Sequence, residues 1–318
     1  MESPILQGLN PAQRAAVEAY DSASLIIAGA GSGKTRVLTS RIAYMIEQGV
    51  EPTSILALTF TNKAAEQMRE RIRQMVSGRK SREIFMGTFH SIFARILRTE
   101  ADRIGFPANF TIYDASDAKN LIKTIVKEMN LPDDKYKPNV VASRISQAKN
   151  ALVTPGAYLA NSTHATEDRR AQIPELGNIY NVYCQRCKHN GAMDFDDLLL
   201  QTNILFRDHP EVLTKYQEKF NYVLVDEYQD TNYSQYLIVK KLSDIHRNIC
   251  VVGDDAQSIY SFRGARIENI LNFKNDYPDY KLFKLEQNYR STTTIVDAAN
   301  SVISKNREQI PKKTFSEN

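Results

Sequence analysis

Ala28-Gly29-Ala30-Gly31-Ser32-Gly33-Lys34-Thr35 follows the apolar run Leu25-Ile26-Ile27, and the reading of this stretch decides the fold. Apolar residues that give way to glycines and then to Lys-Thr describe a strand, a tight loop and the start of a helix. Glycines let the backbone curl until successive N–H groups face one anion, and the helix that follows offers its positive end to the same point. The pattern predicts a triphosphate loop in which Lys34 reaches the β- and γ-phosphate oxygens and Thr35 holds Mg²⁺. The usual form opens on glycine where this chain has Ala28. Alanine fits that position as long as φ stays negative.

Working outward, short apolar and β-branched runs at residues 25–28, 55–58, 84–86, 222–225, 249–252 and 280–285 alternate with amphipathic segments. Such alternation predicts an α/β fold, a mostly parallel sheet flanked by helices. The pattern breaks between residues 114 and 191. There Ala118, Leu121, Ile122, Ile125, Val126 and Met129 recur at helical spacing, and Pro132, Pro138, Pro155 and Pro174 punctuate further helical segments. An all-helical insertion that divides one α/β domain into two sequence halves explains why strands resume after Gly191. Residues 155–170 are polar and irregular and read as a surface loop.

A second site is written in Tyr222-Val223-Leu224-Val225-Asp226-Glu227-Tyr228-Gln229-Asp230, where an apolar strand runs straight into carboxylates. Open α/β sheets bind ligands at that end of their strands. Magnesium bound to phosphates takes only one or two protein carboxylates, a role suited to Asp226, and Glu227 is placed to deprotonate an attacking water. The run Val251-Val252-Gly253-Asp254-Asp255-Ala256-Gln257 has the same layout. The neutral amide of Gln257 can donate to a γ-phosphate and accept from water. Tyr260 and Phe262 follow at once beside Arg263, a grouping that suits base stacking on single-stranded nucleic acid but also ordinary core packing.

Composition narrows the classes without choosing among them. Lysine and arginine total 41 against 37 aspartates and glutamates, a net charge of +4 that neither announces nor opposes a nucleic-acid partner. Arg69, Arg71, Arg73, Arg79, Lys80 and Arg82 cluster, and from charge alone they read as a solvated helix face. No stretch approaches the roughly 20 apolar residues of a membrane span, so the reading is a cytoplasmic protein with no membrane partner. Three cysteines do not make a disulfide framework. Cys184 and Cys187 have metal-like spacing near His189, but no second pair follows, and they read as two helical thiols one turn apart.

Taken together these segments resemble the UvrD/Rep/PcrA-type superfamily 1 DNA helicases over nearly the whole chain. Leu9-Asn10-Pro11-Ala12-Gln13 looks like the family's adenine-reading motif, with Gln13 on the base, and an opening alanine is normal in the family's phosphate loop. The loop and the acidic strand tip match its two Walker motifs, so the resemblance gives residues Ala28, Gly29, Ala30, Gly31, Ser32, Gly33, Lys34, Thr35 and Arg36 to the nucleotide. Thr59-Phe60-Thr61-Asn62-Lys63-Ala64-Ala65 and Gly87-Thr88-Phe89-His90-Ser91 are similar to segments that contact single-stranded DNA, which implies DNA roles for Phe60, Asn62, Thr88 and His90. Asp194-Phe195-Asp196-Asp197-Leu198-Leu199 resembles a further family signature. Gln257 with Tyr260 and Phe262 matches the coupling motif, although the family often has tryptophan where Phe262 stands. Leu285-Glu286-Gln287-Asn288-Tyr289-Arg290-Ser291 resembles the fourth motif, and by that resemblance Tyr289 stacks on adenine and Arg290 contacts the γ-phosphate.

The resemblance implies a RecA-like domain 1A in residues 1–113 and 191–285, a helical 1B insertion in residues 114–190, and the start of a second RecA-like domain in residues 286–318. It implies ATP and Mg²⁺ as cofactors, and as partners single-stranded DNA and single-strand/duplex junctions. The expected activity is ATP-driven 3′ to 5′ translocation with duplex unwinding by a monomer. Family members continue past the position of Asn318, so the expectation is an amino-terminal portion that lacks the C-terminal half, turns over ATP weakly and does not unwind alone. Two other readings stay open: the motor portion of a helicase-nuclease, and a nucleotide switch that binds a protein partner.

Overall fold

The computed structural model describes residues 3–260, 264–306 and 309–318. They fall into two compact units, Met1–Ile92 with Glu211–Asn318, and Phe93–Pro210. The first unit opens with α1 (Pro11–Glu18), β1 (Ser24–Ala28), α2 (Lys34–Glu47), β2 (Ile55–Thr59), α3 (Asn62–Met75), α4 (Gly78–Glu83) and β3 (Phe85–Thr88). Through α5 (Phe89–Thr99) the chain enters the second unit, with α6 (Ala101–Ile104), β4 (Thr111–Tyr113), α7 (Ala115–Glu128), α8 (Pro138–Asn150), α9 (Pro155–Ala160), α10 (Ser162–Arg170), α11 (Leu176–His189), β5 (Ala192–Asp194) and α12 (Phe195–Asp208). It returns through α13 (Pro210–Lys219) to β6 (Tyr222–Val225), α14 (Tyr233–Ser243), β7 (Ile249–Gly253), α15 (Glu268–Leu271), α16 (Phe273–Asp276), β8 (Lys281–Leu285), β9 (Gln287–Asn288), α17 (Thr293–Ile303) and β10 (Phe315–Ser316).

The six apolar runs became one six-stranded sheet in the order β3-β2-β6-β7-β1-β8, and every pairing in it is parallel. Strands β1, β2 and β7 are buried along their whole length, because helices cover both faces of the sheet. Ile26, Ile42, Ile55, Leu224 and Val252 belong to the core beneath it. Parallel strands all point their C-terminal ends at one edge, and the register sets those ends side by side: Thr59 beside Thr88, Leu58 beside Val225, Val225 beside Val251 and Ile27 beside Gly253. Buried Arg41 donates to the carbonyls of Ala16 and Ala19 and to the Ser24 hydroxyl, which fastens the end of α1 to the start of β1.

The second unit has its own core, with Ile122, Val141, Ile145, Tyr158, Ile179, Tyr180 and Tyr183 packed together. Between residues 114 and 191 it is helical, and the short parallel pair β4 with β5 closes that stretch at its two ends. Residues 155–170 are a correction: they form α9 and α10 and not a loop. Thr154 caps α9 with Pro155 at its start, and Asn161 caps α10. These helices are too short and polar to show a periodicity, and their inward contacts reduce to few residues, including the Tyr158 hydroxyl on both oxygens of Asp168 at 3.0 Å.

The Asp194-Phe195-Asp196-Asp197 signature is architectural here. Asp194 caps α12 in a capping box with Asp197, and both carboxylates meet the wholly buried Lys149, at 2.7 and 2.8 Å. Burial opposes the Lys149 charge, yet Asp197 and Asp194 together raise its pKa well above the usual value. Cys184 and Cys187 both lie on α11, and burial pushes both thiols up. No helix among the described residues is long and apolar enough to cross a membrane.

Candidate nucleotide site and nucleic-acid edge

Ala28 ends β1 with a negative φ, as alanine requires, and the chain then turns through Gly31 at φ +72° and Gly33 at φ +87°. Gly33 caps α2 in the left-handed conformation with no side-chain hydrogen bond. The first-turn N–H groups of α2 therefore remain as donors at the positive end of a 14-residue helix. Gln13 supports this loop from below. Its amide oxygen accepts from Asn10 N as part of the α1 capping box, and its amide nitrogen donates to Ser32 O at 3.0 Å. An amide nitrogen carries two protons, so one remains for another acceptor.

Lys34 and the acidic tip of β6, 193 positions apart in sequence, meet directly: Lys34 Nζ lies 2.9 Å from Glu227 Oε2. Asp226 accepts from Glu227 N and is 4% exposed. Glu227 sits at φ +48° and ψ +44°, a left-handed conformation that costs a non-glycine residue about 1–3 kcal/mol. That conformation turns the Glu227 carboxylate to Lys34 and to Gln229, whose amide nitrogen lies 2.9 Å from the same Oε2. Burial, then the Glu227 charge, pushes Asp226 up to about 6, and the same two causes push Asp230 up to about 6. Lys34 is the counter-charge to both, and Asp230 Oδ1 is buried without a hydrogen-bond partner. A carboxylate cluster served by so little positive charge fits a divalent cation held by one or two of its members.

The Asp226 shift carries a testable sign. Its folded pKa lies above the unfolded value of about 3.9, so its contribution to stability is present below that pH and is lost as pH rises through about 6. At pH 7.5 the ionised group costs up to about 3 kcal/mol without a cation. Asp226→Asn is expected to raise the melting temperature there by several degrees while Mg²⁺-dependent nucleotide binding is lost. Differential scanning fluorimetry with and without Mg²⁺-ATP checks both, and an unchanged or lower melting temperature contradicts the account.

Gln229 extends the site to the next strand: its Oε1 accepts from Asp254 N, and Asp254 Oδ2 accepts from Gln257 Nε2 at 2.5 Å. On the other side of β1, residues after β8 cross the glycine loop. Asn288 donates to Ala30 O, Tyr289 N donates to Gly31 O, and Asn288 Oδ1 receives the N–H groups of Arg290 and Ser291. A Cβ at Gly31, already at φ +72°, would stand 2.8 Å from Arg290 Cβ, so glycine is required there, and one at Gly29 would stand 2.7 Å from Thr314 Oγ1 and displace that side chain. The Tyr289 ring is half exposed, with its hydroxyl between Gln287 and Asn10.

At the far end of the same edge stand the residues read as DNA contacts. In the sheet order β3 lies four strands from β1, about 19 Å at the usual spacing. Phe60 is half-buried with its ring 5.6 Å from that of Phe89, while Asn62 is exposed on the first turn of α3. His90 is half-buried at the start of α5. Thr88 is 8% exposed, accepts from Ser91 N and donates to Ser91 Oγ. Tyr260 is exposed, and Phe262 lies outside the described residues. All six clustered basic residues on α3 and α4 are exposed, and Arg73 and Arg79 pair with Glu70 and Glu83 one turn away, as a solvated face does. Gln229 and Asn288 escaped the sequence reading. Both sit inside segments it quoted, but only the fold shows what their amides bridge.

A fully parallel sheet whose first strand ends in a glycine loop beneath a helix terminus defines a RecA-like P-loop domain. The chain belongs to the UvrD/REP helicase family: the family's N-terminal domain matches residues 9–278. It is 49% identical over 315 residues to the ATP-dependent DNA helicase PcrA of Staphylococcus aureus, a match covering 99% of this chain and 42% of that protein. It is 47% identical to the PcrA of Staphylococcus epidermidis and 46% identical to that of Leuconostoc citreum, over 42% and 41% of their lengths. The chain thus spans about two-fifths of these curated relatives.

Proposed function

We propose that this chain is the ATP-binding and single-strand-gripping part of an ATP-dependent 3′ to 5′ DNA helicase or translocase. The observation that supports the reading is the 2.9 Å contact of Lys34 with Glu227, which brings the phosphate loop and the acidic strand tip together. In this reading the α2 N-terminus, Lys34 and Arg290 receive the phosphates, while Gln13, Arg36 and Tyr289 hold the adenine end. Thr35 and Asp226 would hold Mg²⁺, which supplies charge neutralisation to the β- and γ-oxygens. Glu227 takes the proton of the attacking water, and Gln257 senses the γ-phosphate.

Phe60, Asn62, Thr88, His90, Tyr260 and Phe262 form the DNA contacts. Residues 1–113 and 191–285 serve as domain 1A, residues 114–190 as the 1B insertion, and residues 286–318 as the start of a second RecA-like domain. Shared placement along one sheet edge supports the reading, because β6 pairs directly with both β7 and β2. Fluorescence anisotropy with a labelled oligonucleotide tests the reading. Binding that weakens steeply with salt is expected. No binding at low salt overturns it in favour of a nucleotide switch with a protein partner.

A further inference from the structure

The hydrogen-bond chain that begins at Lys34 does not end at Gln257. Asp254 and Asp255 are both buried at the tip of β7, side by side, and Lys312 Nζ lies 2.9 Å from Asp254 Oδ1 and 2.5 Å from Asp255 Oδ1. Asp255 Oδ2 also accepts from Ile310 N, and Asp254 Oδ1 from Ala256 N. The Lys312 side chain is itself only 7% exposed. Burial lowers its affinity for a proton, yet the hydrogen bond to Asp255 and the Asp254 charge raise its pKa on balance.

We propose that Lys312 is a positioning residue for ATP hydrolysis, which fixes the amide orientation of Gln257 by holding Asp254 as a hydrogen-bond acceptor. The inference rests on the reading of Gln257 as γ-phosphate sensor. An ionised carboxylate can only accept, so the 2.5 Å contact with Asp254 Oδ2 turns the Gln257 nitrogen inward and its carbonyl oxygen away from Asp254. Without the Lys312 ammonium, Asp254 loses the charge-assisted contact at Oδ1 that fixes its carboxylate plane, and the Gln257 amide loses a fixed acceptor. The same short segment carries Thr314 over Gly29 and β10 against β9, whose Asn288 grips Ala30 O. One piece of chain therefore braces the sensor and the phosphate loop together.

Single-turnover hydrolysis with saturating single-stranded DNA, read beside nucleotide affinity, tests this on the 318-residue chain. Lys312→Met is expected to slow hydrolysis by about tenfold or more with ATP affinity nearly unchanged, the signature of lost orientation and not lost binding. In a Gln257→Ala background the same substitution is expected to add little, because the residue it orients is gone. Asp254→Asn supplies the same pattern should Lys312→Met fold poorly. Unchanged hydrolysis in Lys312→Met, or equal losses in both backgrounds, overturns the inference and leaves the proposed function standing. A parent chain that binds no Mg²⁺-ATP takes both down.

Discussion

Lys34→Ala is expected to weaken ATP binding by at least about 10²-fold, on the order of 3 kcal/mol, while the chain remains folded. The side chain leaves a loop with no other side-chain cation in its glycine turn, since residues 28–33 carry only alanine, glycine and serine. Its side chain is 12% exposed, so water screens its charge little from a bound phosphate. Backbone donors at the start of α2 survive the substitution and keep a weak residual affinity. Loss of the ammonium also leaves Glu227 facing Asp226 and Asp230 without the counter-charge of Lys34, so anion repulsion at the loop rises as attraction falls. Titration with a fluorescent ATP analogue measures the effect, with a melting curve as the control for folding. Unchanged affinity in a folded variant removes Lys34 from the phosphate site and with it the basis of the proposed function.

Why so much of this site was legible follows from the sheet. Strands buried on both faces must be apolar throughout, so β1, β2 and β7 announce themselves, and parallel order delivers their polar tips to one edge. Lys34, Asp226 and Gln257 could therefore be placed near one another from sequence. Features that depend on contacts between distant segments could not. Nothing around Gln229 says that its amide spans Glu227 and Asp254, and the left-handed φ of Glu227 falls on a residue type that gives no local signal for it. Pro311-Lys312-Lys313 gives no local signal of a buried partner, and Lys312 meets buried carboxylates only in the fold. Asp194 and Asp197 are acids of another kind. Their conspicuous spacing is accounted for by a helix cap and buried Lys149, so chemistry-bearing residue types there hold a fold together.

Glu227→Gln is expected to leave ATP affinity within a few-fold and to slow hydrolysis by about 10²–10⁴-fold. The replacement is isosteric, and a glutamine carbonyl oxygen in the place of Oε2 can still accept from both Lys34 and Gln229. Geometry at the tip of β6 is thereby retained. The group that takes a proton from water is not, because a neutral amide has no basicity to offer at neutral pH. Removal of one charge also relieves Asp226, which the Glu227 carboxylate helps to raise, so affinity for the nucleotide's anionic phosphates has no electrostatic reason to fall. A loss confined to the chemical step separates a base from a binding residue, since removal of uniform binding would raise KM and spare kcat. Single-turnover hydrolysis with and without single-stranded DNA, beside equilibrium binding of ATP, provides both numbers. Equal turnover in the variant would mean that the strained backbone at Glu227 serves only to seat Lys34, and that water is activated from elsewhere along the edge.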